Sequence, residues 1–483
     1  MKTAYLMYPQ QIGTIAPEIY GHFAEHIGGV IYDGIWVGED SSVPNVKGFR
    51  KELIEKLRAI KAPVIRWPGG CFAETYDWRD GIGADRPTRI NWWTKMDGRY
   101  ESNTVGTHEF MDFCEAVGAK AYFAANMTTV SPLHNRDWMD YCLSPKGSTT
   151  LAKEREANGH PEPFDIPYWG VGNECWGDGG NMTAAQYADE FRRYAVVMDN
   201  TADVDLIACG ASGANYRWTH DFLEGVLEKK KSHVNGYSIH IYNAFRYSDA
   251  VNFNTEEWYE QLRQAAGKEA VIQRHWDLIS AYDMKEHCRF VIDEWGCWHK
   301  ETGSGPSGGG NLLEQQNTMR DAMVAALSLN MFNRHCDKIM MTNIAQLVNN
   351  LQCLFFAGGE HCITTPTYHV FDMYKEHQGA QAIQVTVTDN DVFEQSVSIS
   401  ASVKDGKTLV TLGNLSCEQD AQIKLEGVGA SIPHTAQATM LYHEDIHAHN
   451  TFEKPEEVKT VEVTLDPTQP ITIPKAAVLA IRF

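Results

Sequence analysis

Two short segments, YWGVGNECWG and RFVIDEWGCW, each place a glutamate at the end of an apolar run: Glu174 and Glu294. In both, Trp and Gly follow within three residues, so the chain leaves a strand with a carboxylate aimed at the loops beyond it. A pair of carboxylates is the minimum equipment for hydrolysing a glycosidic bond, one as proton donor and the other as nucleophile or base. A single strand-end glutamate is more readily a salt-bridge partner or a helix cap; two of them in matching settings favour chemistry. Asn173 directly precedes Glu174, and an amide there can bond the sugar hydroxyl next to the reacting carbon, a contact that tightens in the transition state. Glu174 therefore reads as the acid/base and Glu294 as its partner.

Other residues could serve the same reaction. Arg66 ends the run PVIRW and opens RWPGGCFAETYDWRDGIG; an arginine there can hold a neighbouring carboxylate in a bidentate pair or bond sugar oxygens. Gly69 and Gly70 after it allow close backbone approach, or simply make a turn. Glu25, in GHFAEHIGGVIYDGIW, can accept sugar hydroxyls, while His22 and His26 beside it have a plain reading as core histidines. In SIHIYN, His240 and Tyr242 point to the same side of a strand because side-chain direction repeats every two residues. For Tyr242 an ordinary packed tyrosine is an equal reading. Trp92, Trp93, Trp176 and Trp298 fall in loop-like stretches, where indole rings stack on sugar faces or anchor the loop.

Two patterns point elsewhere. His443, Glu444 and His447 spell HExxH, a zinc signature that works only on a helix, where both histidines share a face. Here it follows strand-like AQATMLYH and leads into loop-like HAHNTFEKPEEV, so no metal site is expected. GSGPSGG contains GxGxxG, but Pro306 interrupts it and no βαβ dinucleotide context surrounds it. The stretch 303–310 reads instead as a mobile loop past the strand that carries Glu294.

The elements able to position these groups are eight apolar runs, at 19–28, 63–70, 120–127, 168–174, 206–212, 234–242, 289–296 and 338–346. Segments with apolar residues at three and four spacing lie between them, at 49–61, 107–119, 184–200, 220–232 and 312–332. This alternation predicts an α/β fold, a (β/α)8 TIM barrel, which keeps its chemistry at the C-terminal ends of the strands. From about residue 380 the chain alternates strand-like runs with Gly, Asn, Asp and Pro turns, the pattern of an antiparallel β-sandwich. The expected organisation is a catalytic barrel over 15–378 and a C-terminal β-sandwich domain over 379–483, to which residues 1–14 can add a strand.

Composition narrows the partner. The 42 basic against 63 acidic side chains leave a net charge of −21, which argues against nucleic acid or an acidic membrane surface. The 13 Trp, 20 Tyr and 19 Phe suit a neutral ligand with flat faces, such as a carbohydrate. The N-terminal stretch has no sustained apolar core of a signal peptide, and no segment reaches the roughly 18 apolar residues of a membrane span. Eleven cysteines, with no CxxC pair, fit reduced thiols better than a disulfide framework. A cytoplasmic protein is the expectation.

Taken in order, GHFAEHIGGVIYDGIW, RWPGGCFAETYDWRDGIG, ANGHPEPFDIPYWGVGNECWG, SIHIYN, VIDEWG, NIAQLVN and HNTFEKPEEV resemble the α-L-arabinofuranosidases of glycoside hydrolase family 51 over nearly the whole chain. The resemblance implies a retaining enzyme with a barrel and a C-terminal β-sandwich, active on terminal arabinofuranosyl units of arabinan or arabinoxylan fragments. It implies Glu174 as acid/base and Glu294 as nucleophile, with Glu25, Arg66, Asn173, His240, Tyr242 and Gln346 around the terminal sugar. Trp298 and the Trp92/Trp93 pair would wall the pocket. Cys71 stands where many members have Asn, so a thiol contact replaces a hydrogen bond there. A homo-oligomer, commonly a hexamer, is implied too, and the chemistry requires no cofactor or metal. The competing readings are another retaining barrel glycosidase, such as a β-xylosidase or endoglucanase, and an inactive sugar-binding protein on the same scaffold.

Overall fold

The computed structural model describes residues 1–229 and 233–483; the end of the helix-like run 220–232 therefore lies outside the described residues. Eight parallel strands form a closed barrel in sequence order: β1 (Gly21–Phe23), β2 (Val64–Trp67), β3 (Lys120–Ala125), β4 (Tyr168–Val171), β5 (Asp205–Ser212), β6 (Gly236–Phe245), β7 (Arg289–His299) and β8 (Ile339–Ile344). Register is set by pairs such as Phe23 with Arg66, Arg66 with Tyr122, and Tyr122 with Tyr168. Barrel strands are covered on both faces, which is why β2 and β4 are buried throughout and read as apolar runs, broken in β2 only by the buried Arg66.

Helices follow the strands, and their starts are written locally. Thr183 and Gln186 form a reciprocal capping box at Ala184–Asp199, and Ser131 caps Pro132–Leu143 with proline in its first turn. The helix expected over 312–332 begins only at Met319, because Thr318 and Asp321 cap it there and the preceding residues turn instead. Around β2 to β4, Trp67 stacks on Phe110 at 4.9 Å, and Phe123 packs on Trp138 and Trp169. Fully burying each such ring is worth about 1.5–3 kcal/mol, which fixes the strands whose loops carry the polar residues.

By internal packing the chain forms two compact units, one of residues 21–241 and 270–294, the other of 1–20, 242–269 and 295–483. The second contains a nine-stranded sheet around a core of Leu6, Ile383, Val410, Leu412, Ile423 and Ile481. Its N-terminal strand Lys2–Thr14 pairs antiparallel with Gln381–Val387 and parallel with Ala421–Val428. That one parallel pair is possible because so long a stretch of chain separates the two strands that no tight turn constrains their direction. A short strand, Ile471–Ile473, completes the sheet beside Ala421–Val428.

Candidate active site

The first strand is only three residues long, since Pro17–Tyr20 makes a 3-10 turn before it, so Glu25 stands just beyond its C-terminal end. Arg66 lies within β2, and Asn173 and Glu174 follow β4 in a tight turn. His240 is on β6. Glu294 is not at a strand end: β7 continues to His299 and leaves it near the middle. Sequence spacing suggests the end of the run because Gly296 resembles a stop signal, whereas the strand absorbs it with a φ of 136°.

The two glutamates meet at one imidazole. His240 Nδ1 is 2.8 Å from Glu174 Oε1 and 3.3 Å from Glu294 Oε2, and one nitrogen or oxygen from each of the three side chains lies within 4.8 Å of the other two. The far side of the ring, Nε2, faces Asp293 Oδ1 at 3.2 Å. Arg66 donates from Nη1 to Glu294 Oε1 and from Nη2 to Asn173 Oδ1, both at 2.7 Å, so one buried guanidinium fixes the carboxylate and the amide together. The guanidinium lies 4.5 Å from the centre of the Phe23 ring. Asn173 Nδ2 is buried without a partner among the described residues, a donor directed at whatever occupies the site. A Cβ on Gly70 would stand 3.0 Å from Glu294 Oε1 and 3.5 Å from Asn173 Nδ2, so glycine there keeps the space between the working groups open.

Charge follows this geometry. Burial alone would raise the Glu294 pKa, but the His240 and Arg66 cations outweigh it and hold the carboxyl well below its ordinary range. Burial would likewise lower that of His240, and the Glu294 and Asp293 carboxylates reverse the shift, keeping the ring an imidazolium. Glu25 accepts from the Phe72 backbone N–H at 3.0 Å and from Trp93 Nε1 at 3.2 Å. Burial, only partly offset by the Phe72 bond, pushes its pKa up to about 7. Cys71 is buried near Glu25, Glu174 and Glu294; burial first and these charges second drive its thiol far up, so it is present as a neutral S–H.

Eight of the residues named from sequence thus come together in the first compact unit: Glu25, Arg66, Cys71, Trp93, Asn173, Glu174, His240 and Glu294. Trp92 is half-buried next to Trp93. Tyr242, Trp298 and Gln346 belong to the second unit. There Tyr242 packs edge-on against Trp298 at 5.4 Å, the Arg246 guanidinium sits 4.0 Å over the Trp298 ring, and Gln346 is buried. His22 and His26 follow the core reading: His22 is fully buried with its pKa lowered by burial to about 3, and His26 accepts from Trp67 and bonds Glu101 at 2.9 Å.

The HExxH residues occupy non-helical chain, and His447 is already used, bonding Asp445 and the Phe253 carbonyl. Cys297, His299 and Asp321 also cluster at metal-like distances, but both ring nitrogens of His299 are taken, by Asp321 and by Arg320. The Gly-rich stretch after β7 is tied to Glu314, which accepts from Ser307 N and Asn311 Nδ2. All eleven cysteines are buried thiols. Sequence reasoning missed Asp293, Tyr122 and Glu74. Tyr122 donates to Asp293 Oδ2 at 3.0 Å, and Glu74 accepts from three backbone N–H groups. The available signals were the adjacency of Asp293 to Glu294 and an acidic residue inside the Arg66 motif.

A (β/α)8 barrel whose two carboxylates meet at one histidine, one just past β4 and the other within β7, is the construction of a retaining glycosidase, whose carboxyl groups stand about 5–5.5 Å apart, against about 6.5–9.5 Å in inverting enzymes. Residues 56–265 match the model of the alpha-L-arabinofuranosidase 1 domain, and residues 293–476 that of the alpha-L-arabinofuranosidase C-terminal domain. An intracellular exo-alpha-L-arabinofuranosidase of Bacteroides ovatus is 36% identical over 92% of this chain and 87% of its own length. The crystal structure of the GH51 arabinofuranosidase from Xanthomonas axonopodis pv. citri superposes with a TM-score of 0.92 at 34% identity, covering 100% of this chain and 99% of that one. The thermostable GH51 alpha-L-arabinofuranosidase of Thermotoga petrophila superposes at 0.85 with 27% identity, covering 100% of both chains. The chain belongs to the α-L-arabinofuranosidases of glycoside hydrolase family 51.

Proposed function

We propose that the protein is an exo-acting, retaining α-L-arabinofuranosidase that releases terminal arabinofuranosyl units from arabinan or arabinoxylan oligosaccharides. The observation that supports this most is the approach of Glu174 and Glu294 within 4.8 Å about His240. Glu294, kept ionised by His240 and Arg66, attacks the anomeric carbon and forms a bond to it as the glycosidic C–O bond breaks. Glu174 gives its proton to the departing oxygen; its Oε1 accepts from His240, which leaves the proton to Oε2. In the second step Glu174 takes a proton from water, the water oxygen bonds the anomeric carbon, and Glu294 is released.

Asn173 Nδ2 and Glu25 supply a donor and an acceptor for sugar hydroxyls, and Cys71 a thiol contact between them. Trp92, Trp93, Tyr242, Trp298 and Gln346 are read as further sugar contacts on family resemblance. In this reading residues 15–378 act as the catalytic barrel, and 379–483 with 1–14 as the accompanying sheet domain. Relatives named intracellular in Bacteroides ovatus and Bacillus subtilis support a cytoplasmic location, which cell fractionation tests. A hexamer is read from the family resemblance and is tested by light scattering.

The deciding assay is hydrolysis of p-nitrophenyl α-L-arabinofuranoside beside the β-D-xylopyranoside, by wild type and Glu294→Gly. Turnover of the furanoside, abolished in the variant and restored by azide with inversion at the anomeric carbon, is expected. Turnover of the xyloside alone would discard the substrate, and activity on neither would discard the enzyme.

A further inference from the structure

Glu74 is wholly buried in the 3-10 turn Cys71–Thr75, and among the described residues no cationic side chain pairs with it. Its carboxylate is filled by main-chain donors instead. Oε1 accepts from Asn173 N at 2.5 Å, and Oε2 from Met127 N at 3.0 Å and Thr128 N at 2.9 Å. Those N–H groups lie just past the ends of β3 and β4, where the ladder has stopped and no strand neighbour accepts from them. One carboxylate on the loop after β2 thus ties down the two loops that follow. The Glu74 carbonyl adds a fourth tie by accepting from Thr129 Oγ1 at 2.9 Å.

The peptide it grips leads directly into Glu174, whose φ of 43° lies in the left-handed region that a residue with a Cβ adopts only under strain. Such a conformation persists only when its surroundings over-determine it. On one side of Glu174 its carbonyl accepts from Gly177 N at 2.7 Å and Gly179 N at 3.1 Å; on the other the constraint is Glu74. Three donors converging on two oxygens need a carboxylate. The amide of glutamine offers one accepting oxygen, and its NH2 would face an N–H.

We propose that Glu74 is a positioning residue for proton transfer: by holding the Asn173 N–H it fixes the strained turn that aims the Glu174 carboxyl at the glycosidic oxygen. This rests on the reading of Glu174 as the acid/base. A displacement of about 1 Å in such a group can cost about 10²-fold in rate.

The experiment compares wild type, Glu74→Gln, Glu74→Asp and Glu174→Ala on 2,4-dinitrophenyl α-L-arabinofuranoside, whose leaving group needs no proton, and on an arabinobiose, whose leaving group does. Rates are expressed per site labelled by a mechanism-based inactivator at Glu294, so a partly folded preparation still reports, and the aspartate variant stands in if the glutamine variant yields no labelled sites. Glu174→Ala should lose arabinobiose turnover by about 10²–10⁴-fold, and azide should accelerate its turnover of the activated glycoside with net retention. Glu74→Gln should show the same signature in weaker form: about 10²-fold lost on arabinobiose, several-fold less on the activated glycoside, azide acceleration, and little change in KM. Equal loss on both substrates without an azide effect, or a lowered Tm with rates per site unchanged, would reduce Glu74 to a structural part and overturn the proposal. If Glu174→Ala itself lacks the signature, the acid/base reading fails and the proposal fails with it.

Discussion

Glu174 and Glu294 reach the same nitrogen, His240 Nδ1, at 2.8 and 3.3 Å. A shared donor keeps the acid and the nucleophile at a fixed separation and makes the ionisation of one felt by the other. The imidazolium is itself braced by Asp293 at Nε2, and Asp293 by Tyr122. The geometry of the reaction therefore depends on β3, β6 and β7 together.

Replacing His240 by Gln should move the acid limb of the kcat/KM profile to higher pH. Burial pushes the Glu294 pKa up, and His240 is the largest of the influences holding it down. The depressed carboxyl contributes stability above its unfolded pKa and loses it as pH falls through the folded value; the raised His240 contributes below its unfolded pKa and loses it as pH rises through its own. Between those limits the pair is intact. An acid limb that stays in place in the variant would assign the ionisation of Glu294 to Arg66 alone.

Glu25 should destabilise the fold as pH rises through neutrality. Its pKa, lifted by burial to about 7, means that its contribution is fully present below the unfolded value near 4.5 and is lost as pH climbs through the folded one. Urea unfolding of wild type against Glu25→Gln at pH 5 and pH 8 should show a gap in favour of the variant that widens with pH, by up to about 3 kcal/mol. A gap independent of pH would mean that Glu25 is ionised throughout.

Arg66→Met should cost about 3–5 kcal/mol in unfolding free energy, because it removes one of the two cations beside the buried Asp293 and Glu294 carboxylates and leaves them to His240 alone. Arg66→Lys should recover part of that stability but little of the activity, since one ammonium cannot hold Glu294 and Asn173 at the same fixed angle. Denaturant melts and kcat/KM measured on the same preparations separate the two effects. A lysine variant with native activity would show that charge, not the fork, is what matters at this position.

Much of the fold was legible because barrel strands buried on both faces appear as apolar runs, and because polar residues that interrupt or end several such runs in similar settings point to chemistry. Glu174, Asn173, Arg66 and His240 emerge from that logic. The limits of single elements do not: Pro17–Tyr20 shortens β1, Gly296 fails to end β7, and the Thr318 cap delays a helix. The parallel pairing of Lys2–Thr14 joins strands some four hundred residues apart and leaves no local trace. Asp293 and Glu74 escaped for a different reason. Each acts on another site group or on main-chain N–H donors from a different strand, a role that depends on which loop ends the barrel brings side by side and not on any local spacing.

Double displacement through Glu294 is tested by the stereochemistry of a methanolysis product. With p-nitrophenyl α-L-arabinofuranoside in aqueous methanol, the methyl glycoside formed first cannot mutarotate, and its anomeric proton is read by NMR. Two inversions at one carbon should give methyl α-L-arabinofuranoside, with net retention. Methyl β-L-arabinofuranoside as the first product would mean a single displacement, and would contradict the assignment of Glu294 as nucleophile despite its place within 4.8 Å of Glu174.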